Sequence, residues 1–339
     1  MSAHPFGTIV LAAYDPEPEL FRRQLESLCA QTVSTWECVI AVDGDPVPVA
    51  ALTSRLTDGD ERFRIVGDGS RLGFYLNFER GIAAVSPRTE WIALCDQDDR
   101  WDADKIERLL PHLAEVSLVS AQARLVAYPS GTLLGHTDRH DHGPLSTILA
   151  NQFTGSLCLF SPELLRTALP FPRASTRAAA HDHWLAVVAG TYRGTRVVED
   201  LTQDYMQHDT NVFGDPSRLG PGGIRQSIAN ALEQARRYEG SRSPFAIART
   251  TFWAYVGWRQ LMVDTLTARG FASDDGFSER DAAFGAGRRW NVAQRALRTA
   301  RASDVVPAPF VLEYRASWLA GALTGGRRAV ERAIASGGD

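Results

Sequence analysis

The first hundred residues alternate short apolar runs with amphipathic stretches. Thr8–Ala13 (TIVLAA) and Glu37–Val42 (ECVIAV) have the length and character of buried strands. Between them Leu20, Gln24, Leu25 and Leu28 fall on helical spacing, behind the acidic residues expected of a first helical turn. Arg62–Val66 reads as a third strand and Leu76–Val85 as a second helix. Trp91–Cys95 (WIALC) is a fourth strand that stops at Asp96-Gln97-Asp98-Asp99. Lys105–Leu113 is helical in pattern and Leu118–Ala127 extended. Strands alternating with helices predict an α/β domain on a mainly parallel sheet.

Beyond Ala127 the pattern becomes irregular, with turn-rich stretches at Pro129-Ser130-Gly131 and from His140 to Pro144. After Pro216 and Gly220-Pro221-Gly222-Gly223 it turns almost wholly helical, over Ile224–Tyr238, Pro244–Ala268, Asp281–Arg301 and Val311–Ile334. The expected division is therefore an α/β domain over residues 1–215 and a helical extension over 216–339.

At 339 residues, 44% hydrophobic and 22% charged, the chain can bury a large core without disulfides or metals. Its net charge of −4 argues against nucleic acid as a partner, since that needs an excess of phosphate-neutralising cations. The charge is uneven. Residues 285–339 hold nine arginines against four acids, which leaves −9 on residues 1–284. A basic tail on an acidic body suggests a negatively charged surface or acceptor, with a solvated helical bundle as the plain alternative. Cys29, Cys38, Cys95 and Cys158 form no C-x-x-C pair, and three of them lie in apolar runs, so buried free thiols in a reducing compartment are expected. The run Thr8–Ala13 is too short for a signal peptide, and no stretch reaches the roughly 18 apolar residues of a membrane span. A cytoplasmic protein is the expectation. Lys105 is the only lysine, and no role follows from that alone.

The acidic cluster carries the most chemistry. Asp96, Asp98 and Asp99 sit where a buried strand meets a loop, and ligands of open α/β sheets collect beyond the carboxyl ends of strands. Carboxylates this close repel one another unless a cation or hydrogen bonds neutralise them. A hard cation such as Mg²⁺ is often shared between one or two carboxylates and substrate phosphates. The competing reading is a solvated turn capped by Asp102.

Asp96-Gln97-Asp98-Asp99-Arg100-Trp101 resembles the D-x-D region of family 2 glycosyltransferases of the GT-A fold. Other segments resemble that family in the same order. Val10-Leu11-Ala12-Ala13-Tyr14, followed by a helix with Gln24, Ser27 and Gln31, is similar to its opening, and Val42-Asp43-Gly44-Asp45 to its second acidic turn. Gly73, Asn77 and Gly81 match a G-x-x-x-N-x-x-x-G segment. Asn151-Gln152-Phe153-Thr154-Gly155 and His181-Asp182-His183-Trp184 resemble acceptor-side motifs. Tyr205-Met206-Gln207-His208 with Asn211 and Gly214 resembles the element that closes the site in rhamnosyltransferase-like members. The match spans roughly residues 8–214 and leaves the helical tail uncovered.

The resemblance implies a GT-A fold, a Rossmann-like sheet flanked by helices, here with a C-terminal helical extension. It implies an inverting, metal-dependent transfer of a sugar, rhamnose or another deoxyhexose, from a nucleotide-diphosphate donor to the hydroxyl of a glycan, glycolipid or small-molecule acceptor in cell-surface glycan or glycolipid synthesis. Ala13, Tyr14, Asp43, Arg71, Asn77, Asp96 and Gln97 would hold the nucleotide sugar. Asp98 and His208 would hold Mn²⁺ or Mg²⁺, which would neutralise the departing diphosphate. Asp99 is either metal-linked or oriented by the helix start. Asp182 would be the general base, with its anion stabilised near a helix N-terminus. Gly155, His181 and Trp184 would lie on the acceptor side. Plainer roles stand beside these: a capped turn for Asp43, a surface arginine for Arg71, a helix cap for Asp182, core for Trp184 and an ordinary strand end for His208.

Six of the eight histidines fall between 136 and 208, but His136, His140 and His142 lack a cysteine partner and sit in a polar loop, so zinc is not expected. A nucleotide-dependent oxidoreductase would need G-x-G-x-x-G after the first strand, where this chain has Ala12-Ala13-Tyr14-Asp15-Pro16. A metal-dependent phosphohydrolase and a non-catalytic binder remain as rivals. The Q-x-x-R-W motif of polymerising relatives is absent, which favours addition of one sugar at a time. The basic tail makes peripheral contact with the inner membrane face an expectation as well.

Overall fold

Strand β1 (Gly7–Ala13) is the centre of the first sheet half, parallel to β2 (Trp36–Val42) on one side and β4 (Trp91–Asp96) on the other. The computed structural model describes residues 4–174, 176, 178–208, 224–271 and 275–336. Within that span the remaining strands are β3 (Phe63–Val66), β5 (Arg100–Trp101), β6 (Leu118–Ala127), β7 (Thr132–His136), β8 (Leu159–Phe160) and β9 (Thr195–Gln207). Helices α1 (Pro18–Cys29), α2 (Pro46–Leu56), α3 (Phe74–Ala83) and α4 (Lys105–Leu109) punctuate the first strands. Then come α5 (Pro144–Leu149), α6 (Leu165–Ala168) and α7 (His181–Ala189). The tail holds α8 (Ile224–Glu239), α9 (Pro244–Phe252), α10 (Trp258–Ala268), α11 (Asp275–Phe284), α12 (Trp290–Ala302), α13 (Ala308–Leu323) and α14 (Gly326–Ser336).

The chain divides into two compact units. The first takes the described residues of 4–141, 152–169 and 188–208; the second takes those of 142–151, 170–187 and 224–336. Residues 142–151 and 170–187 thus cluster with the helical tail rather than with the sheet.

In the first unit the strands run in the order β3-β2-β1-β4-β8-β6-β9-β5, with β7 paired to β6. The sheet is mixed. β1, β2, β3 and β4 are parallel, β8 is antiparallel to β4 and β6, and β9 runs parallel to β6 but antiparallel to β5. This is the α/β architecture with a helical extension that the alternation of elements predicts. The register places Ala13 beside Val42 and Ala12 beside Asp96, so β1, β2 and β4 end side by side. Ile9, Leu11, Cys38, Ile40, Trp91 and Cys95 of these strands pack with Phe21, Leu25 and Leu28 of α1, all fully or almost fully buried.

Several boundaries differ from the pattern-based expectation, each for a local reason. Helix α3 starts at Phe74, two residues before the first periodic leucine, because Gly73 adopts φ +78° and turns the chain into it. Pro111 tightens the end of α4 into a 3₁₀ turn over Leu110–Ala114. The Asp281–Arg301 pattern is two helices, parted around Gly285 and Gly287, and Val311–Ile334 is two helices parted at Gly325. Asp102 does not cap α4: its carboxylate pairs with Arg124, and the residue preceding the helix is Asp104. The expected thiol burial holds for Cys38, Cys95 and Cys158, whereas Cys29 is exposed at the end of α1.

The Gly73/Asn77/Gly81 segment has a packing explanation. Asn77 is buried and its amide Nδ2 donates to the Ala41 carbonyl of β2 at 2.7 Å. One turn on, a Cβ at Gly81 would stand 2.5 Å from Val10 Cγ1 and 3.1 Å from Ala41 Cβ, so only glycine lets α3 lie this close to β1 and β2. Gly81→Ala should therefore lower the unfolding free energy by about 1–3 kcal/mol, the usual cost of overpacking. The check is the urea midpoint at unchanged slope.

Candidate functional site

The carboxyl ends of β1, β2 and β4 gather most of the residues expected to hold a nucleotide sugar. Asp43 follows β2, with its backbone N–H on the Ala13 carbonyl at 2.8 Å. Its buried carboxylate accepts three backbone hydrogen bonds: Leu72 N to Oδ1 at 2.5 Å, and Gly73 N to both oxygens at 3.1 Å. Asp43 thereby holds the Ser70–Gly73 loop, and with it the start of α3, against the end of β2. Tyr14, just past β1, donates its N–H to Gln97 Oε1 at 2.7 Å, and Gln97 Nε2 donates back to the Tyr14 carbonyl at 3.1 Å. This reciprocal pair clasps the β1 end to the turn after β4. The exposed Arg71 guanidinium stacks 3.9 Å over the Tyr14 ring, leaving a cation at the mouth of the same edge.

Asp96 is the last residue of β4, and Asp98 stands in the turn that follows. Asp98 Oδ2 lies 2.8 Å from Nε2 of His208, which comes in at the end of β9, 110 residues downstream. Both side chains are mostly but not wholly buried, at 22% and 14% exposure. Asn211 and Gly214, which belong to the same sequence resemblance, lie outside the described residues.

Asp99 points the other way, into the core, and is 1% exposed. Its Oδ2 accepts from Gln203 Nε2 at 2.7 Å and its Oδ1 from the Met206 N–H at 3.2 Å. Burial drives this carboxyl well above its ordinary pKa, and the neighbouring Asp98 and Asp96 add to the shift. Gln203 Oε1 in turn accepts from Lys105 Nζ at 2.5 Å. Nζ also donates to the Ser156 carbonyl at 2.6 Å and sits 3.7 Å over the Trp101 ring. One buried chain of polar groups thus joins the turn after β4, strand β9, helix α4 and the 3₁₀ turn Gly155–Leu157 that contains Gly155. A second, more exposed chain runs Arg100–Asp204–Arg124–Asp102, with Arg100 Nη2 at 2.6 Å and Arg124 Nε at 2.5 Å from the Asp204 carboxylate.

His181, Asp182 and Trp184 open α7 and belong to the second unit. Asp182 lies in the first helical turn, where the helix dipole favours an anion, and its Oδ1 accepts the His183 N–H at 2.7 Å. His183 is buried: its Nδ1 accepts from the Trp258 indole N–H at 3.2 Å, which leaves Nε2 to donate to the Thr147 carbonyl at 2.6 Å. Burial and the Arg259 charge pull its pKa down to about 4, so it is a neutral packing histidine. Burial likewise lowers that of His181. Trp184 is fully buried, with Arg269 5.7 Å over its ring, which makes it core of that unit.

Of the loop histidines, His136 ends β7 and His140 pairs with Asp138 at 2.9 Å. Among the described residues no three His, Cys, Asp or Glu side chains form a ready-made metal cage. Lys105, Gln203 and Ser156 are the residues that sequence reasoning passed over. The available signal was a lone lysine in a chain that otherwise uses arginine.

The Lys105 ammonium is 2% exposed, and burial lowers its pKa from 10.5 to about 7. Between those two values the unfolded chain binds a proton that the folded chain has shed. Stability should therefore rise with pH from about 7 to about 10 and level off below 7 as far as this group is concerned. Lys105→Met should remove that slope, read as the wild-type-minus-variant difference in denaturation free energy across the pH series.

Residues 8–171 match the glycosyl transferase family 2 profile. The chain is 29% identical over 106 residues to the succinoglycan biosynthesis protein ExoW of Rhizobium meliloti, covering 29% of this chain and 31% of that protein. It thus spans about a third of the length of that curated relative. Among solved structures, TarS 1–349 of S. aureus in complex with UDP-GlcNAc overlays with a TM-score of 0.47 at 12% identity, covering 98% of this chain and 92% of that one. The mannosyltransferase PcManGT of Pyrobaculum calidifontis, in complex with GDP-Man and Mn²⁺, gives 0.45 at 18% identity over 95% and 87%. Over residues 8–171, just under half of its length, the chain thus resembles a family 2 glycosyl transferase.

Proposed function

We propose that this chain transfers a sugar, with inversion, from a nucleotide-diphosphate donor to a hydroxyl of a glycan or glycolipid acceptor. The observation that carries the reading is the meeting of Asp98 with His208 across 110 residues of chain, at the strand edge where Asp43, Tyr14, Arg71, Asp96 and Gln97 also converge. Edges of this kind are where open α/β sheets bind nucleotides.

The donor set suits a hard divalent cation. Asp98 would offer a carboxylate oxygen and His208 an imidazole, and a cation shared with a diphosphate needs only one or two protein carboxylates. Bound there, Mn²⁺ or Mg²⁺ would neutralise charge on the leaving diphosphate. The protein's own groups do the rest. The Tyr14–Gln97 clasp and the Asp43-held loop shape the nucleotide side, and Arg71 offers a cation to phosphate. On the acceptor side the reading assigns the base to Asp182, which stands in the first turn of α7 and whose Oδ1 accepts the His183 N–H. A cytoplasmic setting belongs to the same reading. The resemblance of Tyr205-Met206-Gln207-His208 to rhamnosyltransferase-like members makes deoxyhexose donors the first to test.

Calorimetry with a panel of nucleoside diphosphates and Mn²⁺ or Mg²⁺ should find one base bound, with binding lost in EDTA and weakened at least about tenfold in Asp98→Ala, a cost of ~1.4 kcal/mol or more. Binding that ignores both metal and substitution sinks the metal assignment. With the matching nucleotide sugar and acceptor, Asp182→Asn should lower kcat by about 10²–10⁴-fold and leave nucleotide affinity unchanged. Turnover that proceeds equally without acceptor would mark a phosphohydrolase instead.

A further inference from the structure

Helix α13 is apolar on two opposite faces, and only one of them is covered by other described residues. The inner face presents Tyr314 and Ser317, both fully buried, and Gly321, where a Cβ would stand 2.4 Å from the Phe252 ring of α9. On the other side Ala308, Leu312, Ala316, Leu319 and Leu323 recur at helical spacing and form one narrow stripe. Leu312, Leu319 and Leu323 are 65%, 64% and 85% exposed. Glu313 and Arg315 are the only charged residues in the sixteen of this helix, and a helix apolar all round is normally buried all round.

What surrounds the stripe says what would cover it. Arg315 borders it and is held by its Nε donating to Gln294 Oε1 at 2.7 Å. The neighbouring helices α12 and α14 expose Arg295, Arg298, Arg328 and Arg332, besides Arg301 and Arg327, which pair with Asp304 and Glu331. Trp290, 44% exposed, packs edge-on against Trp318 of α13 at 5.3 Å. An apolar stripe edged by Arg315, on a helix packed between two arginine-bearing ones, has the composition of a helix lying in a bilayer surface, with leucines at the acyl boundary and guanidinium groups on lipid phosphates. A second copy of the chain fits this face poorly, because it would set two arginine-rich surfaces against each other.

We infer that the Leu312–Leu319–Leu323 face of α13, with the arginines of α12 and α14, docks on an anionic lipid bilayer. No helix among the described residues is long and apolar enough to cross a membrane, so the contact is one of lying on the surface. The inference gives the acceptor side of the preceding reading a location. It depends on that reading only for what the docking serves, since lipid binding is measured without sugar transfer.

The full chain should co-sediment with phosphatidylcholine vesicles containing phosphatidylglycerol, far less with phosphatidylcholine alone, and less at high salt. Leu319→Glu combined with Leu323→Glu alters only exposed side chains, so its thermal unfolding should match wild type while vesicle affinity falls at least about tenfold. Arg295→Glu with Arg298→Glu should weaken binding to the anionic vesicles and leave the neutral ones unchanged. Failure of the wild-type chain to bind anionic vesicles, or equal binding by the double leucine variant, overturns the inference. So does a wild-type dimer, seen by sedimentation, that the leucine variant converts to monomer. Nucleoside diphosphate binding on the same variants keeps the two readings apart: its loss in wild type counts against the donor site and not against the bilayer.

Discussion

The first unit depends on one buried constraint, the obligation of Asp99 to find hydrogen-bond donors inside the core. A carboxyl group taken out of water is costly unless its oxygens are satisfied, and Gln203 and the Met206 N–H satisfy them from a strand more than 100 residues away. That requirement ties β9 to the turn after β4. Asp98, one residue earlier and facing the other way, then meets His208 at the end of the same strand. The pairing of β5 with β9 and the Arg100–Asp204–Arg124 ion pairs repeat the tie nearer solvent, where each is worth less. Asp99 is thus a positioning group, and the metal-linked role weighed for it is taken up by burial.

Adjacent residues of one motif therefore do different work. Asp98 stays at the accessible edge and Asp99 is consumed by the core, although both are carboxylates in a single acidic turn. Asn77 and Gly81 show the same separation on α3: the amide goes to the Ala41 carbonyl, and the missing side chain lets the helix close on β1. Asp43 uses its oxygens on the backbone of the Leu72–Gly73 segment, so any ligand reaching that edge meets a loop already ordered.

The parts of this architecture that local pattern reveals are those whose environment is local. Strands β1, β2 and β4 read clearly because both faces are buried, and α1 because its leucines keep a 3.6-residue period. Strand β9 escaped notice because Thr195–Gln207 mixes Glu, Asp and Gln with valines and follows no clean alternation; its polar residues are used in ion pairs and in the Asp99 network. Helix α2 hid behind Pro46 and Pro48, which look like a turn, although proline suits a first helical turn and Asp45 Oδ1 accepts the Val47 N–H there. The acidic turn and His208 could be nominated from sequence, but their contact could not, since it rests on the register of β9 against β6. Likewise nothing in residues 142–151 or 170–187 announces that they cluster with the tail. They do so through contacts such as His183 with Thr147 and Trp258, and Arg259 with the Leu149 carbonyl.

The burial of Lys105 has a practical corollary. Every other basic side chain is an arginine or a histidine, so this ε-amine is the chain's single side-chain target for reductive alkylation, and it is sealed beneath Trp101 and Ser156. Folded protein offers such reagents no lysine at its surface, so the rate at which the amine becomes reactive reports how often this interior opens. The molecule carries its own label for the breathing of the strands that bring Asp98 and His208 together.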